Sequence, residues 1–87
     1  MVRVRVPGQL RGYTGGADCV EVEGRTLGDV LRALDEAYPG FRFRVIDEQG
    51  RVRRHMLVYV GEEREEDLGA AVPEGAEVFL VGALSGG

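Results

Sequence analysis

The chain has 87 residues, of which 44% are hydrophobic and 30% are charged. This length suits one compact domain, and the apolar fraction is too high for a disordered chain. The 15 acidic and 11 basic residues give a net charge of -4, which argues against a general nucleic-acid binder. We therefore expect one domain over 1–87, with a globular part at 1–82 and a flexible tail at 83–87.

Membrane, disulfide and metal chemistry find little support in the sequence. No apolar run approaches the roughly 18 residues of a membrane span, and the N-terminus alternates valine with arginine instead of forming a signal-peptide core. A cytoplasmic protein without membrane contact is expected. Cys19 and His55 are the single cysteine and histidine, so we predict no disulfide and no metal site. Cys19 is predicted to be a small buried residue, with a redox-sensitive thiol as the alternative, and His55 to be a surface or strand-edge residue.

The first third of the chain predicts two strands. Val2, Val4 and Val6 alternate with arginines, a pattern typical of a strand with one buried and one solvated face, and Pro7-Gly8 ends it. Residues 10–16 contain three glycines and no periodicity, which indicates a loop. Alternation resumes over 19–23, so the two strands should form a hairpin with a long connection.

A helix is predicted next. Leu27, Val30, Leu31 and Leu34 lie on one stripe of a helix, and Thr26 with Asp29 forms an N-terminal capping pattern. Pro39-Gly40 should end the helix. Residues 41–50 are predicted to be irregular, with core contacts from Phe41, Val45 and Ile46.

Two further strands are predicted at 53–60 and 77–81, separated by a charged turn at 61–67 and a short helical turn at 68–72. The order ββαββ predicts an α+β fold, a mixed sheet of about four strands on one main helix, with the first and last strands parallel. Alternation turns Val58, Val60, Val78 and Leu80 toward the helix. It turns four other apolar side chains outward, where we predict a partner-docking face rather than a chance scatter. These four are Leu57, Tyr59, Phe79 and Val81.

Several short sequence segments and the last two residues of the chain point to the same family. They are Val4-Arg5-Val6-Pro7, Leu10-Arg11, Thr14-Gly15-Gly16, Thr26-Leu27-Gly28-Asp29-Val30-Leu31, Tyr38-Pro39, Val58-Tyr59-Val60 and Gly86-Gly87. Together they resemble the ubiquitin-like ThiS/MoaD sulfur carriers over the whole chain, and most of all the CysO-type carriers of cysteine synthesis. The resemblance implies a β-grasp fold. Two turns depart from the family pattern, at Gly75-Ala76 and Val60-Gly61-Glu62-Glu63.

The resemblance also implies a function for the C-terminus. The carboxylate of Gly87 would be adenylated by an E1-like adenylating and sulfurtransferase enzyme that uses ATP, and then converted to a thiocarboxylate. The chain itself would bind no cofactor. A sulfur-accepting synthase would take the sulfur, so the chain would be a protein co-substrate, not an enzyme, and a monomer when free. Cysteine synthesis is favoured, with molybdopterin, thiazole, thiosugar and tRNA thiolation left open. Because glycine lacks Cβ, Gly86 and Gly87 could enter a narrow channel, and Ala83, Leu84 and Ser85 would complete the partner-binding tail.

Two other functions stay open at this stage. One is a ubiquitin-like modifier that forms isopeptide bonds with target lysines, and the other is a non-covalent β-grasp binding module. Two clusters of charged residues are predicted to be solvated surface, and each has a functional alternative. The basic cluster of Arg51, Arg53 and Arg54 could also contact phosphate or an acidic partner. The acidic cluster could also steer the chain toward a basic activating enzyme; it comprises Glu62, Glu63, Glu65, Glu66 and Asp67.

Overall fold

The computed structural model describes residues 1–82 and forms one five-stranded sheet with helices packed on it. The predicted tail, 83–87, lies outside the described residues. Strands are β1 (Val2–Arg5), β2 (Cys19–Val22), β3 (Met56–Val60), β4 (Glu63–Arg64) and β5 (Glu77–Gly82). Helices are α1 (Leu27–Ala37), α2 (Phe41–Val45) and a 3₁₀ helix over Gly8–Tyr13. The predicted α+β architecture is therefore confirmed.

The sheet has the order β2-β1-β5-β3-β4, with β1 and β5 at its centre. β1 and β5 run parallel, with Val4 beside Val78, while β2 pairs antiparallel with β1. β3 lies antiparallel to β5, with Met56 opposite Gly82. The predicted mixed sheet with parallel first and last strands is confirmed, and the last strand is held on both sides.

Four local details differ from the prediction. The sheet has five strands instead of about four, because Glu63 and Arg64 fold back to pair with Val60 and Tyr59 across the turn at Gly61, whose φ is +62°. Two residues are too few to show a strand periodicity in sequence. The segment 41–50, predicted to be irregular, contains α2, and the predicted loop at 10–16 begins within the 3₁₀ helix. The predicted third strand also starts three residues later, at Met56.

The capping pattern predicted for α1 is confirmed. Thr26 Oγ1 accepts a hydrogen bond from the Asp29 backbone N–H at 3.1 Å, which satisfies one of the free donors of the first turn. In return, Asp29 Oδ2 accepts from the Arg25 N–H at 3.4 Å. At the other end, Gly40 with a φ of +94° turns the chain directly into α2.

The core lies between the sheet and the two α-helices. Leu31 and Leu34 of α1 are fully buried, as are Phe41, Val45 and Ile46, which confirms the core role predicted for the last three. Removing this much apolar surface from water is the main source of stability for a domain of this size. None of the helices within residues 1–82 has the length and apolar character needed to span a membrane.

Gly24, between β2 and α1, lies unusually close to the helix. A Cβ at this position would come within 2.8 Å of the Val30 backbone nitrogen and 2.9 Å of Val30 Cγ2. We expect Gly24→Ala to lower the free energy of unfolding by about 1–3 kcal/mol, because the first turn of α1 must move away from β2. Thermal unfolding measures this loss as a drop in melting temperature.

Gly12→Ala is the matched control, since no atom lies within 4 Å of a Cβ at Gly12. It should change the melting temperature little. Equal stability of the Gly24→Ala and Gly12→Ala proteins would show that α1 packs less closely on β2 than described.

Candidate functional site

The end of β5 is the last described part of the chain. Gly82, which we call the tail root, is the last described residue and lies opposite Met56 of β3. The five predicted tail residues follow it directly and lie outside the described residues; they are Ala83, Leu84, Ser85, Gly86 and Gly87. β5 itself is held in the sheet up to Gly82 by its pairing with β1 and β3.

The side chain of Gln9 packs directly on the tail root. A Cβ at Gly82 would lie 2.6 Å from both Cδ and Oε1 of Gln9, so the absence of a side chain at Gly82 makes room for the glutamine. Gln9 belongs to the 3₁₀ helix over Gly8–Tyr13, far from Gly82 in sequence. Sequence reasoning missed this contact, and the single available signal was a glycine at the end of a predicted strand.

The four predicted docking residues form two adjacent cross-strand pairs on the outer face of the sheet. Leu57 lies opposite Val81, and Tyr59 opposite Phe79. Val81 is 40% exposed and the other three are half-buried, and none of the four packs against the core. The predicted alternation holds on the inner face also, where Val58, Val78 and Leu80 are buried and Val60 is half-buried. We call these four residues the outer apolar face.

Charged residues of β1 and β5 border the outer apolar face. Arg5 lies beside Phe79 in the β1–β5 register, and its Nε donates a hydrogen bond to Glu77 Oε2 at 2.6 Å. This hydrogen bond, together with the charge of Glu77, raises the pKa of Arg5. The edge of the face is therefore an exposed ion pair, which contributes little to stability but gives the face a polar rim.

The single cysteine and the single histidine lie in different parts of the fold. Cys19 lies opposite Arg5 and is half-buried, so the prediction of a buried cysteine is wrong. It stands on an edge strand at a position that alternates with the buried Val20, which leaves its side chain on the outer side. His55 is exposed, as predicted. Among residues 1–82, no three histidine, cysteine or carboxylate side chains are placed to hold a metal ion.

A cleft of about 330 Å³ opens beside the tail root. It is lined by Gln9, Leu10, Tyr13, Arg44, His55 and Met56. Leu10 and Met56 form its apolar floor, while the other four contribute polar or charged groups. Two surface features therefore lie next to the tail root, the outer apolar face on the sheet and the cleft beside the 3₁₀ helix.

No family model matches the chain. A search of characterised proteins finds the sulfur carrier protein CysO of Mycobacterium tuberculosis, which is 34% identical over 91 residues, covering 99% of this chain and 98% of that protein. The chain belongs to the CysO family of sulfur carriers. The CysO of Mycobacterium bovis matches to the same extent.

Solved structures agree with this assignment. The crystal structure of Mycobacterium tuberculosis CysO superposes with a TM-score of 0.91 at 32% identity, over 97% of this chain and 100% of that one. CysO in the Amycolatopsis orientalis BexX/CysO complex gives 0.91 at 30% identity, with both chains covered completely. Small archaeal modifier protein 1 of Haloferax volcanii gives 0.76 at 31% identity, over 99% and 98% of the two chains.

These comparisons confirm two of the predictions made from sequence. The fold is the β-grasp fold of the CysO carriers, and the resemblance to CysO-type members extends over nearly the whole chain. As a member of this family, the chain is a small sulfur-carrying protein and not a catalyst.

Proposed function

We propose that this CysO-family carrier holds sulfur as a thiocarboxylate on Gly87 and delivers it to a biosynthetic enzyme. The observation that carries the proposal is the 34% sequence identity to a mycobacterial sulfur carrier, which extends over 99% of the chain. The Gly86-Gly87 end supports it, because two residues without Cβ can lie against the walls of a narrow enzyme channel.

The proposed chemistry starts from an unreactive group. An α-carboxyl group has a reference pKa of about 3.3–3.7, so at neutral pH Gly87 presents a carboxylate, a poor electrophile. In an E1-like partner, a carboxylate oxygen attacks the α-phosphorus of ATP and pyrophosphate leaves. A sulfide-equivalent donor then attacks the acyl carbon, AMP leaves, and a thiocarboxylate remains. The carrier binds no cofactor in this scheme, because ATP is held by the activating enzyme.

The proposed partners are the activating enzyme and a sulfur-accepting synthase. A CysO carrier forms a complex with BexX in Amycolatopsis orientalis, which supports docking of a carrier body on a partner enzyme. We favour cysteine synthesis as the destination of the sulfur, in keeping with the CysO relatives. Because the activation consumes ATP, the proposal places the carrier in the cytoplasm.

The outer apolar face is proposed to be the surface by which the partners hold the carrier. Leu57, Tyr59, Phe79 and Val81 lie on the two strands that meet at the tail root. Two of the four are aromatic, and aromatic residues are enriched at the energetic centres of protein interfaces. A partner bound here would have the tail residues Ala83, Leu84 and Ser85 leading from its contact surface to its active site.

The decisive experiment is the intact mass of the protein purified from its native cells without reducing or acid treatment. A fraction in which one oxygen is replaced by sulfur is expected, and fragmentation should place the sulfur on Gly87. Sulfur found on any other residue, or none under conditions of sulfur demand, would show that the proposal is wrong.

The Cys19→Ser protein should load sulfur as the native protein does, because the cargo is attached to Gly87 and Cys19 lies on an edge strand. Loading is measured by the same intact-mass experiment after incubation with ATP, the activating enzyme and a sulfide source. Loss of loading in Cys19→Ser would mean that a thiol on the body of the carrier takes part in the transfer.

Protein modification is the second candidate, favoured by the structural match to small archaeal modifier protein 1. In this case the activated Gly87 would form isopeptide bonds with lysines of other proteins. Immunoblots against the tail under reducing conditions would separate stable conjugates from a labile thiocarboxylate. All 11 basic residues of the chain are arginines, so ladders of self-conjugates could arise through the N-terminus alone.

A further inference from the structure

The segment 41–55 carries a charge opposite to that of the rest of the chain. It contains five arginines and two carboxylates, Asp47 and Glu48, which gives it a net charge of +3 in a chain of net charge -4. The remaining residues therefore sum to -7. The five arginines are Arg42, Arg44, Arg51, Arg53 and Arg54.

This segment lies at the tail root. It leads directly into Met56, which pairs with Gly82. Arg44 and His55 line the same cleft as Gln9, the residue that packs on Gly82. The positive charge is therefore concentrated beside the point from which the tail starts.

Two of these guanidinium groups are held in place by aromatic residues. Arg53 Nε donates to the Phe43 carbonyl oxygen at 2.7 Å, and its Cζ lies 4.5 Å from the centre of the Phe43 ring. Arg44 Nε donates to Tyr13 Oη at 2.6 Å, with Cζ 5.7 Å from the ring centre. Each of these contacts uses Nε, so the terminal Nη groups remain able to donate to a carboxylate in the bidentate geometry that arginine favours.

The two carboxylates of the same segment form no ion pair with these arginines. Asp47 Oδ1 accepts hydrogen bonds from the backbone N–H groups of Arg51 at 3.0 Å and Gln49 at 2.9 Å. These bonds, the one from Arg51 first, lower the pKa of Asp47 and fix the turn that leads to Arg53. Within the described part of the chain, none of the five guanidinium groups lies within 4.0 Å of a carboxylate oxygen.

An exposed aromatic ring lies among these charges. Phe43 of α2 is 52% exposed and is flanked in sequence by Arg42 and Arg44, while Phe41 and Val45, two positions away on either side, are fully buried. Arginine and phenylalanine are both enriched in protein interfaces. A ring with a guanidinium stacked on it offers a partner one apolar contact and one charged contact at the same point.

We propose that Phe43, Arg44, Arg53, Arg54 and His55, which we call the basic exit surface, dock an acidic segment of the enzyme that receives the tail. The inference rests on the proposed function and adds the chemistry of the partner. Charge complementarity identifies the occupant: carboxylates of a folded partner can meet the arginines locally. A long nucleic acid would also face the surrounding charge of -7 and be repelled.

Contact at the basic exit surface would orient the carrier as well as hold it. The outer apolar face lies on the sheet, whereas the basic exit surface lies on α2 and the segment before β3. Two contacts on different sides of the tail root define how the body is rotated relative to the partner. A single apolar face would leave that rotation less restricted, so the second surface sets the direction in which the tail enters the active site.

Kinetics of ATP–pyrophosphate exchange with the activating enzyme test this role. The double variant Arg44→Glu/Arg53→Glu should raise the KM for the carrier about tenfold or more at low salt, with kcat unchanged, because electrostatic complementarity acts mainly on association. The difference should shrink at high salt. Thermal unfolding should show that both proteins are folded at the assay temperature.

The matched control is Arg25→Glu/Arg32→Glu, which makes the same change in net charge. Both arginines are exposed and line a different cleft, beside Met1. Its KM should stay within about twofold of the native value. An equal rise in KM for both double variants would show that the effect comes from net charge alone, which would contradict the proposal. No rise in KM for Arg44→Glu/Arg53→Glu would also overturn it.

A second measurement does not depend on the exchange reaction. Amide chemical shifts of the full chain are followed during titration with a hexaglutamate peptide, with an octathymidylate of DNA, and with the protein itself at rising concentration. Shifts over 41–55 with hexaglutamate, lost in Arg44→Glu/Arg53→Glu, are expected. Similar or larger shifts with the DNA would assign the surface to phosphates, shifts at 62–67 on self-titration would assign it to a second copy, and no shifts over 41–55 would overturn the proposal.

The two measurements separate this inference from the proposed function. If the native chain supports no exchange, the thiocarboxylate proposal fails and the titration alone decides whether the surface binds carboxylates. If exchange proceeds with identical KM for the native and Arg44→Glu/Arg53→Glu proteins, the carrier function stands and the acidic partner contact is wrong.

Discussion

Deletion of Gly87, or its replacement with Val, is expected to abolish ATP–pyrophosphate exchange by the activating enzyme. Deletion moves the reacting carboxylate back by about 3.3–3.6 Å, the length of one extended residue, and a displacement of even about 1 Å can cost a hundredfold in rate. Valine adds a branched Cβ where a narrow channel would have to accept bare backbone. Exchange of labelled pyrophosphate into ATP measures the reaction.

The same Gly87 variants should keep the melting temperature of the native protein nearly unchanged. All five paired strands and the buried core lie within residues 1–82. A large fall in melting temperature would show that the C-terminus supports the fold. Exchange retained at the native rate in Gly87→Val would show that the terminal residue is not the activated group.

Helices and strands with a long hydrophobic periodicity, and with capping or stop residues at their ends, could be predicted from sequence. α1 has a capping threonine, an apolar stripe over three turns and a Pro-Gly stop, and the structure places it at Leu27–Ala37. β1 and β5 show the alternation of a strand with one buried face. Such patterns depend on neighbours in the chain, so no knowledge of the rest of the fold is needed to read them.

Short elements and distant contacts could not be predicted. β4 has two residues and forms through pairing with β3. α2 has five residues, and its helical form depends on the burial of Phe41 and Val45 against α1 and the sheet. The Gln9 contact with Gly82 joins opposite ends of the chain. These features arise from tertiary contacts, which override the weak local preferences of a few residues.

The candidate site also has one part that could be predicted from sequence and one part that depends on tertiary contacts. The outer apolar face follows from alternation in two strands, and its four residues could be assigned from sequence. Of the basic exit surface, only Arg53 and Arg54 belonged to the basic cluster recognised in sequence. Its relation to the tail root depends on the Met56–Gly82 pairing and on the stacking of Arg53 on Phe43. From sequence, the basic cluster was open to two interpretations, solvated surface or contact with phosphate or an acidic partner, and the fold adds that the segment leads into the Met56–Gly82 pair.

Replacement of Phe79 with Ser is expected to weaken binding to the activating enzyme or the synthase about tenfold or more, equivalent to about 1.4 kcal/mol. A five-residue tail spans at most about 18 Å at 3.3–3.6 Å per residue, so the partner must hold the carrier close to the tail root. Phe79 is half-buried opposite Tyr59 and does not pack against the core. Its loss should therefore remove an aromatic contact with the partner.

The stability cost of Phe79→Ser should be small, about 1 kcal/mol or less, the range of a cross-strand pair. Tyr38→Ser is the matched control, since Tyr38 is also a half-buried aromatic residue but packs against the core at the end of α1. It should lower the melting temperature and leave affinity unchanged. Titration calorimetry and thermal unfolding of both variants separate the two effects. Native affinity with a sharply lowered melting temperature for Phe79→Ser would make Phe79 a structural residue and show that the outer apolar face does not dock the partner.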